Sequence, residues 1–372
     1  MILANSDVGL YKFRGELIDS LLASGFEVVI SLPDGEYIEA LVQKGCRFLE
    51  TPIDRRGTNP LRDAKLMGNY RRLLRAERPD VVLTYTVKPN VYGGLACGRL
   101  RIPYIANITG LGSGLKKSGL LQKVVLWLYK KGLARASAVF FQNDDNRRFF
   151  MQRGMVKDAA RSIPGSGVNL EHHCLEDYPD ETEKCRLLFI GRVMREKGIE
   201  ELLECAKYMH EQQAPVSFSV IGACEEEYGQ RLADAQEAGL LRYYGQQDDV
   251  HAFIREHHAT VLPSYHEGLA NVLLESASSG RPVLASRVPG CRETFDEGIS
   301  GLGFEAQSAA DLCRAVEAFL ALPYEQKKRM GLAGREKMER EFSREIVIDA
   351  YQKEIAMICG TNKEKVRDYE TV

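Results

Sequence analysis

Residues 189–207 read FIGRVMREKGIEELLECAK, and their order decides the fold. An apolar run stops at Gly191, a basic loop follows, and behind Lys197 and Gly198 the apolar residues return at helical spacing. A buried strand running through a loop straight into a helix is the opening of a β-α-β unit, whose next strand lies parallel to the first. Working outward, CRLLFIGRV (185–193), VSFSVIG (216–222), LRYYGQ (241–246), ATVLPSY (259–265), RPVLASRV (281–288) and GLGFE (301–305) alternate with amphipathic stretches. The first half has the same rhythm, with MILAN (1–5), FEVVISL (26–32), PDVVLTYT (79–86), IPYIANIT (102–109) and ASAVFFQN (136–143) as strands. The patterns FRGELIDSLLASG (13–25) and LMGNYRRLLRAERP (66–79) lie between them as helices. Strands alternating with helices, twice over, predict two α/β domains with parallel sheets.

The break falls in the Gly-, Pro- and acid-rich stretch IPGSGVNLEHHCLEDYPDETEKC (163–185), after the fifth strand. Two domains also suit a chain of 372 residues. The expected division is 1–168 and 169–341, then a crossover helix 342–360 built on REIVIDAYQKEIAMI and a polar, frayed tail 361–372. No G-x-G-x-x-G follows either domain's first strand, which argues against a dinucleotide site. Nine scattered cysteines lack metal or redox spacing and predict reduced thiols. No run of eighteen apolar residues and no signal peptide is present, and the chain starts almost inside its first strand.

Charge is unevenly spread. Residues 1–170 hold 26 Lys and Arg against 15 Asp and Glu, and between Val81 and Asn143 there is no carboxylate. Such asymmetry speaks of partners rather than fold. The chain lacks an aromatic single-strand platform or a nucleic-acid-binding motif, so nucleic acid is not the expected partner.

The chemistry concentrates in the second half. Arg192 and Lys197 beside a helix amino terminus suit a diphosphate, because helix amides and two cations together neutralise leaving-group charge. Further on, HEGLANVLLESASSGRP (266–282) carries Glu267 and Glu275 eight residues apart, about 12 Å at helical rise. A nucleotide sugar laid across that helix start would place phosphates on the amides of Leu269, Ala270 and Asn271, after Gly268. One carboxylate would then hold sugar hydroxyls and the other ribose hydroxyls, each accepting a vicinal pair.

GRVMREKG, GACEEEYG, YYGQQDDV and PSYHEGLANVLLESASSGRPVLAS, in this order, resemble glycosyltransferase family four, of the GT-B fold. The likeness covers nearly the whole chain. It implies two Rossmann-like domains facing across a cleft, with a C-terminal helix crossing back to the first. By this resemblance Arg192 and Lys197 bind the donor diphosphate after Gly191, Glu267 contacts the transferred sugar and Glu275 the ribose. Gly222, Tyr244 and Gly245 would line the base pocket. The family retains anomeric configuration without a metal or other cofactor, so none is expected, and the UDP-sugar is a substrate. The departing phosphate oxygen takes the acceptor proton, and no general base is identified. No D-x-D lies near these loops; Asp144-Asp145 and Asp248-Asp249 read as a helix start and a loop, and His172-His173 and His257-His258 as structural histidines.

For the acceptor, ANSDVGLYKFRGELI (4–18) places Gly9 in the loop after the first strand, with Lys12 and Arg14 opening the next helix towards an acceptor phosphate. TYTVKPNVYGG (84–94) and NITGLGSGLKKSG (107–119) resemble the bacterial transferases that extend polyprenyl-diphosphate-linked glycans, nearest in kind to N-acetylgalactosaminyltransferases of protein-glycosylation and capsule pathways. Relatives carry a histidine in each loop; Tyr85 and Thr109 stand there in this chain. Lys88, Thr109, Gly110, Lys116, Lys117 and Lys123 complete the expected acceptor set. GLLQKVVLWLYKKGLARA (119–136) reads either as a basic amphipathic helix at an anionic membrane surface or as a domain helix with Trp127 buried.

The expectation is a retaining, metal-independent hexosyltransferase, peripheral on the cytoplasmic face of the cell membrane. It would move N-acetylhexosamine, with N-acetylgalactosamine favoured, from a UDP-sugar to a polyprenyl-diphosphate-linked saccharide. Alternatives are the same chemistry on a soluble acceptor, or a GT-B epimerase acting on UDP-N-acetylhexosamine.

Overall fold

A computed structural model of the chain describes all residues except 56, 58, 111–118, 225–227 and 371–372, and no side chains at 120, 121 and 361–370. Contacts divide it into two units, 1–166 with 345–372, and 167–344.

The first unit is a seven-stranded sheet in the order β3-β2-β1-β4-β5-β6-β7. Its strands are β1 (Ile2–Leu3), β2 (Val29–Leu32), β3 (Arg47–Glu50), β4 (Val82–Tyr85), β5 (Tyr104–Ile108), β6 (Ala138–Phe141) and β7 (Ala160–Ser162). Every pairing is parallel, with Ile2 opposite both Ile30 and Leu83. Five strands were expected here, and the two unforeseen ones are β3 and β7, both at sheet edges. Their residues are exposed or half-buried, so neither carries the continuous apolar run that marks a strand covered on both faces.

The second unit has six parallel strands in the order β10-β9-β8-β11-β12-β13: β8 (Cys185–Ile190), β9 (Val216–Ile221), β10 (Arg242–Tyr243), β11 (Ala259–Leu262), β12 (Val283–Ser286) and β13 (Gly301–Phe304). Leu187 and Phe189 join the main core, whereas Leu188 faces a smaller cluster with Ile221 and Ile254. Burial on both sides makes the inner strands legible as apolar runs, whereas the edge strand β10 is exposed at Arg242 and half-buried at Tyr243. Both sheets have the doubly wound, Rossmann-like order expected of GT-B domains, which reverses between β1 and β4 and again between β8 and β11.

The last helix, Arg344–Glu370, packs on the first unit through Val347, Tyr351 and Ile355, spaced one turn apart. Tyr351 meets the Phe140 ring at 4.6 Å and accepts a hydrogen bond from Asn107 Nδ2 at 2.7 Å. The tail, expected to fray, is helical to Glu370; its Lys, Glu and Arg residues are good helix formers. Among the described residues, no helix is long and apolar enough to cross a membrane.

Candidate active site

In doubly wound sheets ligands bind beyond the strand carboxyl ends where the order reverses. In the second unit this point lies between β8 and β11, whose outgoing loops begin at Gly191 and Pro263. Their backbones are pressed together. Gly198 has φ +74°, and a Cβ there would lie 2.1 Å from the Pro263 carbonyl oxygen, so only glycine allows this approach. Gly290 (φ +85°) leaves the same kind of space under the Glu267 carbonyl. Tyr265 N donates to Glu196 O at 2.9 Å, and the Tyr265 hydroxyl donates to Glu201 Oε1 at 2.8 Å. Burial and the Glu201 carboxylate push that phenol up to about 12.

This joining brings Lys197 Nζ onto Glu267 Oε1 as an ion pair, with side chains 20% and 14% exposed. Buried Ser264 donates its hydroxyl to the same carboxylate oxygen at 2.8 Å. Glu267 is therefore aimed and charge-balanced, yet still open to solvent, as a sugar-binding carboxylate requires. Gly191 N bonds Ile221 O at 2.9 Å, and Gly222 N bonds Gly245 O at 2.8 Å, so Gly191, Gly222 and Gly245 form a row along the ends of β8, β9 and β10. Arg192 is exposed beside Gly191, and Glu275 is half-buried.

Three donor-side expectations change. The helix begins only at Asn271, so Glu267 to Ala270 do not rise helically and the two carboxylates are not eight helical steps apart. The Ala270 amide is already bonded to Gly290 O at 2.8 Å. Leu273 N and Leu274 N already donate to Ala270 O at 2.9 and 3.3 Å, so the first-turn donors left without an acceptor in this helix are the amides of Asn271 and Val272. Asn271 Oδ1 is buried there with no hydrogen-bond partner among the described residues. The Tyr244 ring packs edge-on against Phe253 at 5.0 Å and under the Arg242 guanidinium, so it serves the satellite core.

On the first unit, Gly9 is not in a loop. Ser6 caps a helix Asp7–Ala23, its Oγ accepting from Gly9 N at 3.3 Å, because Ser and Asp at 6 and 7 satisfy the first-turn amides. A Cβ on Gly9 would meet nothing closer than 3.7 Å, so no close approach requires this glycine. Arg14 is 4% exposed, stacked 5.2 Å from the Tyr85 ring, while exposed Lys12 lies 5.7 Å over Tyr37. Lys88 is committed to Asp63 at 2.7 Å, an acid that also accepts from the Tyr92 hydroxyl. Thr109 and Lys123 are exposed and Gly110 is half-buried. Lys116 and Lys117 lie outside the described residues. Sequence reasoning missed Ser264, Tyr265 and Glu201. The stretch PSYHEG (263–268) holds two of them, but their partners are set only by the loop pairing.

Residues 176–337 match the family model for glycosyl transferases group 1, and residues 9–165 match that of the glycosyl transferase 4-like domain. The two matches are consecutive and together span most of the chain, which belongs to this family of glycosyltransferases. The chain is 26% identical over 352 residues to the N,N'-diacetylbacillosaminyl-diphospho-undecaprenol alpha-1,3-N-acetylgalactosaminyltransferase of Campylobacter jejuni, covering 89% of this chain and 91% of that one. It is 23% identical to the capsular polysaccharide biosynthesis glycosyltransferase CapM of Staphylococcus aureus, over 77% of this chain and 80% of that one. Among solved structures, Anabaena Alr3699/HepE in complex with UDP and glucose superposes with a TM-score of 0.76 at 16% identity, covering 95% of this chain and 99% of that one. A glycosyltransferase of Rickettsia africae gives a TM-score of 0.76 at 16% identity, over 96% and 98% of the two chains.

Proposed function

We propose that this glycosyltransferase moves N-acetylhexosamine, with N-acetylgalactosamine favoured, from a UDP-sugar to a polyprenyl-diphosphate-linked saccharide, with retention and without a metal in the transfer site. The observation that carries the reading is the Lys197–Glu267 pair at the reversal point of the second sheet. In this account the donor diphosphate takes over Lys197, reinforced by Arg192 and by the Asn271 and Val272 amides that open the helix Asn271–Ser278. The freed Glu267 carboxylate, still held by Ser264 Oγ, accepts sugar hydroxyls, and Glu275 serves the ribose. Asn271 Oδ1 offers a buried acceptor for a ligand donor at the same helix start. As the anomeric carbon–oxygen bond breaks, negative charge grows on the leaving diphosphate. The cations meet that charge, and the leaving phosphate oxygen takes the acceptor hydroxyl proton while the new bond forms on the same face.

The acceptor class rests on the Campylobacter jejuni relative, whose name specifies an undecaprenyl-diphosphate-linked substrate. A peripheral site on the cytoplasmic face of the membrane is supported by the helix Leu120–Leu133, where Trp127 is 57% and Val124 45% exposed. Exposed Lys123, Lys130 and Lys131 flank them, while Tyr129 and Leu133 face the core. Apolar side chains ringed by cations suit an anionic bilayer surface.

The test is a panel of UDP-sugars incubated with a polyprenyl-diphosphate-linked monosaccharide, quantifying released UDP and extended lipid. One donor yielding both in equal amount supports the reading. UDP released without extended lipid rejects the acceptor, and donor consumed without any UDP release points to the epimerase.

A further inference from the structure

A second constellation lies in the same unit, on residues with no part in the transfer chemistry. Cys174 Sγ, a carboxylate oxygen of Glu176 and a ring nitrogen of His251 all lie within 4.8 Å of one another. His251 Nε2 is 2.7 Å from Glu176 Oε1, and Cys174 Sγ is 3.6 Å from that oxygen. Two further imidazoles border the group: the rings of His172 and His173 stand 6.1 and 5.7 Å from that of His251. His173 is only 7% exposed, yet its Nδ1 has no hydrogen-bond partner among the described residues. Leaving such a nitrogen unsatisfied is costly unless something else meets it.

The backbone carrying these donors is pinned. Buried Arg281 donates to the carbonyls of Glu176 and Asp177 at 3.2 and 2.7 Å on one side, and to those of Ile254 and Arg255 at 3.1 and 2.9 Å on the other. It thereby ties the Cys174–Glu176 segment to the helix His251–Glu256. Arg335 Nη1 and Ser278 Oγ hold the His173 carbonyl at 3.0 and 2.6 Å.

We propose that Cys174, Glu176 and His251 form a binding site for a divalent transition cation of the zinc class, with a histidine of the 172–173 pair or a water as fourth ligand. A thiolate, an imidazole nitrogen and a carboxylate oxygen are the donor set such an ion takes tetrahedrally. Binding replaces the Cys174 S–H proton, which leaves to solvent, with a metal–sulfur bond. Neutral His251 binds through Nε2, and its contact with Glu176 lengthens to admit the ion. Such a clip would cross-link the segment entering the second unit to the helix one loop beyond Gly245, bracing the row of strand ends rather than taking part in transfer.

The test uses the full chain and cobalt(II) as a spectroscopic stand-in, followed by zinc(II) competition against a chromophoric chelator. The expected result is one equivalent bound with a thiolate-to-cobalt charge-transfer band. That band should vanish in Cys174→Ser and persist in Cys224→Ser, which removes the other exposed cysteine. Zinc affinity should fall more than about tenfold in His251→Gln. Zinc should also raise the melting temperature of wild type but not of Cys174→Ser. No uptake, uptake unchanged in Cys174→Ser, or a band that follows Cys224 overturns the proposal.

Discussion

At the scale of single residues, Glu267 is held from two sides, by Lys197 and by Ser264. Ser264→Ala removes one hold without touching charge, so the carboxylate loses aim rather than identity. Transfer should fall by roughly tenfold or more in kcat, with donor KM little changed, since a hydrogen bond to a charged carboxylate contributes about 1.5–3 kcal/mol; steady-state kinetics checks this. His258 supplies a pH test. Its Nδ1 accepts from Arg186 N at 3.0 Å, and its Nε2 lies 3.1 Å from the Asp180 carbonyl, a pattern that fixes the neutral tautomer. Burial, then the nearby positive charges of Arg186 and Lys327, pull it down to about 4, only partly offset by the Asp180 carbonyl. Because the folded form resists protonation, its contribution is complete above about 6.5 and is lost as pH falls towards 4. Urea unfolding should lose on the order of 1 kcal/mol per pH unit across that window, with a shallower slope in His258→Asn. Lys197 and Glu267 were legible because their loop motifs are contiguous in sequence. Ser264's role was not, since its partner is fixed by the loop fold. The Cys174–His251 pairing joins residues far apart in the chain, and no local spacing announces it.

At the scale of elements, the backbone contact between Gly198 and Pro263 sets where the two loops of the proposed transfer site meet. Gly198→Ala should cost about 1–3 kcal/mol in stability from its positive φ alone. The clash with the Pro263 carbonyl adds to this and pushes Lys197 off Glu267; melting and kinetics together would record both losses. The helix Leu120–Leu133 carries a separate prediction. Reversing Lys123, Lys130 and Lys131 to Glu should reduce binding to anionic vesicles by fivefold or more per position, since each cation contributes about 1 kcal/mol there. Vesicle flotation measures it, and unchanged flotation would sink the membrane reading of this face. The sequence left open whether Trp127 is core or surface, because an amphipathic helix with lysines fits either; its exposure is a tertiary fact. The inner strands of the second sheet were readable as apolar runs, whereas β3 and β7 carry edge-strand polarity and read as loop. The early helix start at Asp7, capped by Ser6, was signalled by Ser-Asp, but Gly9 in the first turn masked it.

At the scale of the whole molecule, the chain builds one doubly wound sheet twice and returns its last helix to the first unit. That repetition was visible in the alternation of apolar runs and amphipathic stretches, while the partners of the last helix were not. Tyr351 is fully buried there and bonded to Asn107. Tyr351→Ala should cost about 3–5 kcal/mol and lower the melting of the first unit while leaving the second unmoved, as two calorimetric transitions would record. The central claim is that the reversal point of the second sheet is the transfer site, and the most direct measurement is sugar transfer by Lys197→Ala and Glu267→Ala beside wild type, with melting curves on the same samples. The account predicts a fall of about 10²–10³-fold in kcat for Lys197→Ala, the size expected when a preorganised charge on the leaving group is lost. It predicts a comparable loss for Glu267→Ala, with cooperative melting preserved in both. Near-wild-type turnover in either variant would contradict it.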